Sequence, residues 1–185
     1  PDETSGCAME LEAKVYRVDG KPFTGYLADG SRGRRVPGIL VAHEGPGLTG
    51  HVKGRARSLA ELGYVAFALD LYGEVDPPLE RAKAMVKELR DDRAALRRRA
   101  GAALDVLAAH AGVDGKRLAA IGYCFGGTAV LELARGGRDL ACVIGFHAGL
   151  DASPGDGRAI RAKVLVCLGE KDPVVTAQHR EAFVA

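Results

Sequence analysis

The sequence predicts a doubly wound α/β fold, with a mostly parallel central sheet and helices on both faces. The first observation is a series of short segments that are apolar on both faces. Strands of a parallel sheet that is covered on both sides have this pattern. They are residues 38–42, 64–69, 117–122, 141–146 and 164–168. The second observation is that segments with helical spacing alternate with them, at residues 51–62, 78–107, 128–134 and 175–184. Repeated alternation of strand and helix indicates this fold class.

The amino-terminal part of the chain predicts an antiparallel pair of strands. Residues 10–18 alternate between polar and apolar side chains, as an edge strand does. Residues 23–28 can pair with them across the turn at Asp19-Gly20. Residues 1–8 lack periodicity, and we expect them to be a leader or a cloning remnant. One domain is therefore predicted over residues 9–185.

The long helical segment at residues 78–107 contains an irregularity. Its apolar periodicity is lost around Asp91-Asp92 and resumes at Leu96, which indicates either two helices or one kinked helix. Within it lies a cluster of three arginines, Arg97 to Arg99. Such a cluster can bind an anionic substrate, but charge runs on helices usually form a solvated face, and we favour that interpretation.

Composition limits the classes of partner. The chain has 185 residues, of which 47% are hydrophobic, and a net charge of +2, so no strong field favours nucleic acid or an anionic membrane. Its apolar runs are too short to span a bilayer. Four cysteines lack the spacing of a metal site or a disulfide framework, which indicates reduced thiols. We expect a cytoplasmic monomer or small homo-oligomer that acts on a small molecule.

The strongest chemical signal is the sequence Gly122-Tyr123-Cys124-Phe125-Gly126. This GxCxG pattern follows an apolar strand and opens a helical segment, which is the context of a nucleophile elbow. At a helix N-terminus, unpaired amides and the helix dipole favour negative charge on the Cys124 sulfur. The alternative is a buried structural cysteine in a glycine-rich turn. The two glycines and the strand-to-helix context favour the nucleophile.

The elbow and three other motifs resemble the dienelactone hydrolase family, whose members have the α/β-hydrolase fold. GYCFGG at residues 122–127 is similar to the family's elbow. VAHEG at 41–45, DLYG at 70–73 and LGEKDP at 168–173 follow the family's order along the chain. The resemblance implies an enzyme that opens small carboxylic esters or lactones through a cysteine acyl-enzyme. It implies no metal and no organic cofactor.

The resemblance also assigns roles to four further residues. Asp172 is the expected acid of the triad, although an aspartate before Pro173 can equally form a turn or cap a helix. Glu44 is expected to hydrogen-bond the resting thiol of Cys124, the alternative being a solvent-facing loop residue. The backbone amides of Phe125 and Gly45 are expected to form the oxyanion hole.

The histidine of the triad is the main departure from the family pattern. The family takes it from a loop well beyond the aspartate, and none of the five histidines lies there. His147 is a weak substitute. We expect the chain to be incomplete at its C-terminal end, without the last strand and helix of the domain, since a sheet ending at residues 164–168 would expose an apolar edge. The alternative is a degenerate family member.

The resemblance suggests dienelactone or a similar lactone that carries a carboxylate. Arg81, Arg93 and Arg97 are candidates for binding that carboxylate. Two alternatives stay open: a broader carboxylesterase or thioesterase on the same fold, and a non-catalytic homologue, which the missing histidine would explain.

Overall fold

The computed structural model of the protein describes residues 9–152 and 156–184. The predicted leader at residues 1–8 lies outside the described residues. The strands are β1 (Glu12–Val18), β2 (Lys21–Asp29), β3 (Val36–Ala42), β4 (Val65–Ala68), β5 (Val113–Tyr123), β6 (Cys142–Phe146) and β7 (Lys163–Cys167). The helices are α1 (Gly50–Glu61), α2 (Leu79–Asp91), α3 (Arg93–Ala108), α4 (Phe125–Arg135) and α5 (Ala177–Val184), with a short 3₁₀ helix at Asp156–Ala159.

The strands form one sheet in the order β1-β2-β4-β3-β5-β6-β7. From β4 to β7 all neighbours are parallel, whereas β2 is antiparallel to both β1 and β4. The predicted α/β fold with a mostly parallel sheet is therefore confirmed. Strand β5 begins at Val113, earlier than its apolar pattern indicates, because Val113 pairs with Val36 of β3. The register between β3 and β5 then shifts, so that the next pair is Gly38 with Leu118.

The predicted hairpin between the first two strands is also present. Val18 pairs with Lys21, so Asp19 and Gly20 alone form the connection. Both have positive φ, 50° and 78°, which matches the right-handed twist of the flanking strands.

Helices cover both faces of the sheet. On one face α1 buries Val52, Ala56 and Ala60 against the sheet. On the other face α3 and α4 pack together over the larger core, which includes Phe67 and Leu104. The parallel strands therefore end at one edge of a sheet whose centre is enclosed, and this edge carries the motifs predicted to be functional.

The irregularity in the long helical segment is a break between two helices. Asp92 has φ −111° and ψ 80°, outside the helical region, and it ends α2 and precedes α3. Its side chain accepts a hydrogen bond from the amide of Ala95 at 2.9 Å, as an N-cap does. Of the two alternatives, the structure has two helices.

The interpretation of the arginine cluster as a solvated face is correct for only one member. Arg98 is half exposed and pairs with Asp19. Arg97 pairs with the fully buried Glu132 of α4, and Arg99 donates a hydrogen bond to the carbonyl oxygen of Leu71 at 2.7 Å. The interpretation failed because α4 and the loop after β4 present acceptors to this side of α3.

Strand β7 is less covered than its sequence predicts. Val164 is 37% and Leu165 is 54% exposed, although an apolar strand of this kind was expected to be covered on both faces. β7 is the last strand of the described sheet. The following helix, α5, buries none of its residues, so little packs on these side chains.

Candidate active site

A strained cysteine lies between β5 and α4. Cys124 follows Tyr123, the last residue of β5, and its backbone has φ 52° and ψ −113°. Such a conformation costs a residue other than glycine about 1–3 kcal/mol and persists only where the surroundings impose it. The amide of Cys124 donates a hydrogen bond to the carbonyl oxygen of Phe146 at 2.7 Å. This bond fixes the turn to the end of β6.

Two glycines make room for the turn. A Cβ atom on Gly122 would lie 2.1 Å from the carbonyl oxygen of Gly126, and a Cβ on Gly126 would lie 2.3 Å from the carbonyl oxygen of Ala42. Any side chain at these positions would therefore push backbone apart. The start of α4 can approach the end of β3 only because both residues are glycine.

The two amides predicted to bind an oxyanion are available. Phe125 is the first residue of α4, where helix amides have no partner within the helix. Within residues 9–152 and 156–184, neither its amide nor that of Gly45 donates a hydrogen bond. Unpaired amides next to a nucleophile are the usual means of stabilising the negative charge of a tetrahedral intermediate.

Tyr72 links the loop that carries Gly45 to the elbow. Its hydroxyl donates a hydrogen bond to the carbonyl oxygen of Gly45 at 2.7 Å. Its ring stacks on that of Phe125, with centroids 6.3 Å apart. Burial raises the pKa of Tyr72, and the charge of Cys124 raises it further, so the hydroxyl keeps its proton. Tyr72 thus holds the two candidate oxyanion residues in one unit.

The buried Asp70 positions Tyr72. Its carboxylate accepts hydrogen bonds from the amides of Tyr72 at 2.7 Å and Gly73 at 3.0 Å, which is the geometry of an aspartate-stabilised turn. The other carboxylate oxygen accepts from the amide of Thr24 at 3.2 Å. The DLYG motif is therefore a turn held by its own aspartate and tied to β2.

His43 supports the site from within the core. Its ring is fully buried. Nε2 accepts a hydrogen bond from the amide of Leu71 at 3.1 Å, so Nδ1 carries the proton that is shared with the carbonyl oxygen of Glu44 at 2.7 Å. Burial lowers the pKa of His43, against the effect of that hydrogen bond. Because both nitrogens are engaged, His43 has no nitrogen left to take a proton from a substrate or thiol.

Glu44 does not make the contact that the resemblance implies. Its carboxylate lies 2.5 Å from Nδ1 of His51, and among the described residues it makes no hydrogen bond with Cys124. The His51 ring packs edge-on against Tyr123, with centroids 5.0 Å apart. The first turn of α1 therefore provides a partner that competes with the thiol for Glu44.

Asp172 combines both of its predicted roles. Its carboxylate accepts hydrogen bonds from the amides of Val174 at 2.8 Å and Val175 at 3.0 Å, so it forms a turn. It also lies 3.0 Å from Nε2 of His147. Burial raises the pKa of Asp172, but the amides of Val175 and Val174 and the nearby His147 together lower it below its ordinary value. Asp172 is thus an ionised carboxylate beside a histidine.

Most of the chain matches one protein family. The sequence profile of the dienelactone hydrolase family matches residues 23–184. The chain belongs to the dienelactone hydrolase family. It is 31% identical over 179 residues to a probable 2-oxo-3-(5-oxofuran-2-ylidene)propanoate lactonase of Bradyrhizobium sp., with 90% of this chain and 71% of that protein covered. It is 29% identical over 185 residues to a carboxymethylenebutenolidase of a Pseudomonas species, with 94% and 74% covered.

Solved structures support the same assignment. The protein named m3DLH superposes with a TM-score of 0.90 and 44% identity, over 96% of this chain and 75% of that one. A dienelactone hydrolase-like promiscuous phosphotriesterase from metagenomic libraries gives a TM-score of 0.91 and 39% identity, with the same coverage. The resemblance noted from the four motifs is therefore confirmed, together with the α/β-hydrolase fold and a hydrolase of the dienelactone hydrolase family. The roles of Cys124, Asp172, Glu44, Phe125 and Gly45 stay predictions.

The candidate carboxylate-binding arginines of this dienelactone hydrolase family member already have carboxylate partners. Arg81 lies 3.3 Å from Glu74 and 3.4 Å from Glu88. Arg93 and Arg97 lie 3.0 Å and 2.7 Å from Glu132. Helix α4 provides Glu132 as an internal anion, which the sequence did not indicate. A substrate carboxylate would have to share each of these three guanidinium groups with the carboxylate that already pairs with it.

Two residues of the site were missed in the sequence. Tyr72 lies within the DLYG motif. Its position two residues after Asp70, which can form a turn with its own side chain, could have indicated that Tyr72 is held at the site. His51 was expected only near a helix start, where it is found, and nothing in the spacing between it and Glu44 indicates their contact.

No helix in the described part of the chain is long and apolar enough to cross a membrane.

Proposed function

We propose that the protein hydrolyses small carboxylic esters and lactones through an acyl-enzyme on Cys124. The observation that carries this proposal is the strained conformation of Cys124 between β5 and α4, next to the unpaired amide of Phe125. Tyr72 connects Gly45, whose amide is also unpaired, to Phe125. Strain of this kind at a glycine-flanked, partly exposed cysteine is typical of a nucleophile rather than of a residue that only packs. Family membership supports the same chemistry.

The reaction proceeds in two steps. The base takes the proton of the Cys124 thiol, and the thiolate attacks the carbonyl carbon while the amides of Phe125 and Gly45 bind the oxygen that becomes negative. The intermediate collapses to a thioester as the alcohol leaves with a proton from the base. Water, deprotonated by the same base, then attacks the thioester, and the acid and the thiolate are released. A lactone follows this course with its alcohol still attached.

The base is a histidine oriented by a carboxylate, and Asp172 is the proposed carboxylate. Among the described residues, the histidine that contacts Asp172 is His147, so it is the first to test. Loss of ester hydrolysis in His147→Ala, with hydrolysis retained in the control His179→Ala on α5, would identify His147 as the base. Retained hydrolysis in both variants would exclude His147.

The proposed substrates follow from the curated relatives, whose names describe a lactonase and a carboxymethylenebutenolidase. Dienelactone is therefore the first compound to assay, with aryl esters and acyl thioesters to test the alternative of a broader esterase. We expect no nucleic acid or membrane partner, and we expect a monomer or small homo-oligomer. A cytoplasmic location suits a nucleophile that works only as a free thiol, and the three described cysteines are free.

The decisive experiment is to trap the acyl-enzyme. The protein is mixed with an aryl ester, quenched in acid within the first turnover and examined by intact-mass and peptide mass spectrometry. We expect one added acyl group on Cys124, and neither adduct nor turnover in Cys124→Ala. Cys142→Ala is the matched control, since Cys142 lies at the start of β6, away from the elbow. Full hydrolysis by Cys124→Ala would overturn the proposal and favour a non-catalytic role for the elbow.

A further inference from the structure

A cavity of ≈ 200 Å³ opens between the loop after β3 and helix α2. The loop side is formed by Gly45 and Pro46. The helix side is formed by Leu79, Ala82, Lys83 and Val86, which stand at positions i, i+3, i+4 and i+7 and so share one face of α2. Apart from Lys83, these side chains are apolar. The Lys83 ammonium lies 2.8 Å from Glu80 and is largely exposed, so its charge is directed to solvent.

The cavity borders Gly45, one of the two residues of the candidate oxyanion hole. Gly45 contributes both the amide proposed to bind the carbonyl oxygen and part of the cavity wall. Val86 approaches it closely, because Cγ2 of Val86 lies 3.8 Å from the place where a Cβ on Gly45 would be. Tyr72 holds the carbonyl oxygen of Gly45 and stacks on Phe125. A carbonyl bound at Gly45 would therefore have an apolar recess beside it.

We propose that this cavity is the specificity pocket of the enzyme and binds a compact apolar group attached to the reacting ester, with Val86 as the residue that sets its depth. The inference rests on the proposed function and adds the substrate class: esters and lactones with a small alkyl or alkenyl substituent next to the carbonyl or on its alkoxy oxygen. Each methylene that leaves water for such a pocket is expected to raise kcat/KM by roughly threefold to fourfold. The gain should stop once the cavity is full.

The test compares two series of esters in the full chain. The acyl series is p-nitrophenyl acetate, butyrate, hexanoate and octanoate, and the alcohol series is methyl, butyl and hexyl acetate. In the unaltered protein we expect kcat/KM to rise with length in one series, then level off or fall. The series that responds identifies which side of the ester enters the cavity.

Val86→Phe and Val86→Ala change the pocket in opposite directions. In the responding series, Val86→Phe should lower the ratio of kcat/KM for the longer ester to that for the shortest by about tenfold. Val86→Ala should move the optimum to a longer ester, which keeps the test valid even if the larger side chain impairs folding. Ala84→Phe is the matched control, because Ala84 is exposed on the same helix and outside the cavity. Its length profile should not change.

Different results would contradict the proposed function and the pocket. Absence of hydrolysis of every ester by the unaltered protein would overturn the proposed function. Hydrolysis with the same length profile in the unaltered protein and in both Val86 variants would overturn the pocket alone. A change in Ala84→Phe as large as that in Val86→Phe would also overturn the pocket, since it would indicate a general effect on α2.

Discussion

The carboxylate of Glu44 lies 2.5 Å from Nδ1 of His51, in the first turn of α1. Nε2 of His51 accepts a hydrogen bond from Nε of Arg55 at 3.5 Å, so the proton of a neutral His51 lies on Nδ1 and points at Glu44. The family resemblance gives Glu44 a different partner, the resting thiol of Cys124. Glu44 therefore has two possible partners, and His51 holds it in this structure.

Removing His51 should slow the alkylation of Cys124. In His51→Ala the carboxylate of Glu44 loses its partner and becomes available to the sulfur, where its negative charge opposes the thiolate. We expect a slower reaction with iodoacetamide at neutral pH and a pH profile shifted upward. Rates are measured by mass spectrometry of the Cys124 peptide across a pH series. The double variant Glu44→Gln/His51→Ala should recover the original rate, and an equally slow double variant would contradict the argument.

The glycine at position 126 should be essential to stability, whereas a glycine in α1 should not. In Gly126→Ala the new methyl group would lie 2.3 Å from the carbonyl oxygen of Ala42, and overpacking of this kind lowers the free energy of unfolding by about 1–3 kcal/mol. The control is Gly54→Ala, where the same methyl group meets nothing within 4 Å and should stabilise the helix by about 0.4–1 kcal/mol. Urea denaturation measures both. Equal stability of the two variants would contradict the close approach of α4 to β3.

The fold and the elbow could be predicted because both are local in sequence. An apolar strand such as β3 identifies itself within a few residues. The GxCxG pattern contains the two glycines that the turn needs and the cysteine that it strains. The turn at Asp19-Gly20 and the break at Asp92 were visible for the same reason, since each depends on the backbone preferences of the residues that form it.

Pairings between charged groups on different elements could not be predicted. Glu132 looks like an ordinary polar position of α4, and Arg93 and Arg97 look like ordinary surface charges of α3. They become partners only because α3 and α4 pack side by side. The contact of Glu44 with His51 depends likewise on how the loop after β3 enters α1. A sequence gives the types of these groups but not their mutual distance.

Asp172 should contribute stability that depends on pH. Its pKa is lower in the folded protein than its ordinary value, so the ionised carboxylate favours folding above the ordinary pKa, which is about 3.9. This contribution is lost as pH falls through the lower pKa of the folded state. We therefore expect Asp172→Asn to be less stable than the unaltered protein at neutral pH, with a difference that shrinks in acid. Urea denaturation between neutral pH and pH ~3 tests this.

The matched control for Asp172 is Asp139→Asn. Asp139 is exposed in the loop before β6, and no hydrogen bond or ion pair of its side chain is found in the described part of the chain. Its substitution should change stability little at any pH in the series. A pH-independent difference for Asp172→Asn would mean that the turn, rather than the charge, depends on the aspartate.

The buried ion cluster of Glu132 should be the most sensitive charged site in the protein. Its side chain is 0% exposed, and Arg135, at 2.8 Å, is 2% exposed. Arg93 and Arg97 reach the same carboxylate from α3 at 3.0 Å and 2.7 Å, and Arg93 and Arg135 also donate to the carbonyl oxygen of Asp151. The cluster thus joins two helices to the loop that follows His147.

Glu132→Gln should lower the free energy of unfolding by about 3 kcal/mol. The substitution leaves the Arg135 guanidinium buried without its anion, and breaking a buried pair from one side typically costs about 3–5 kcal/mol. The low end applies because Arg93 and Arg97 are 30% and 31% exposed and water can reach them. The control Glu88→Gln breaks an exposed pair with Arg81 and should change stability by about 0–1 kcal/mol. Urea denaturation compares the two, and equal losses would show that Glu132 is not the centre of a buried cluster.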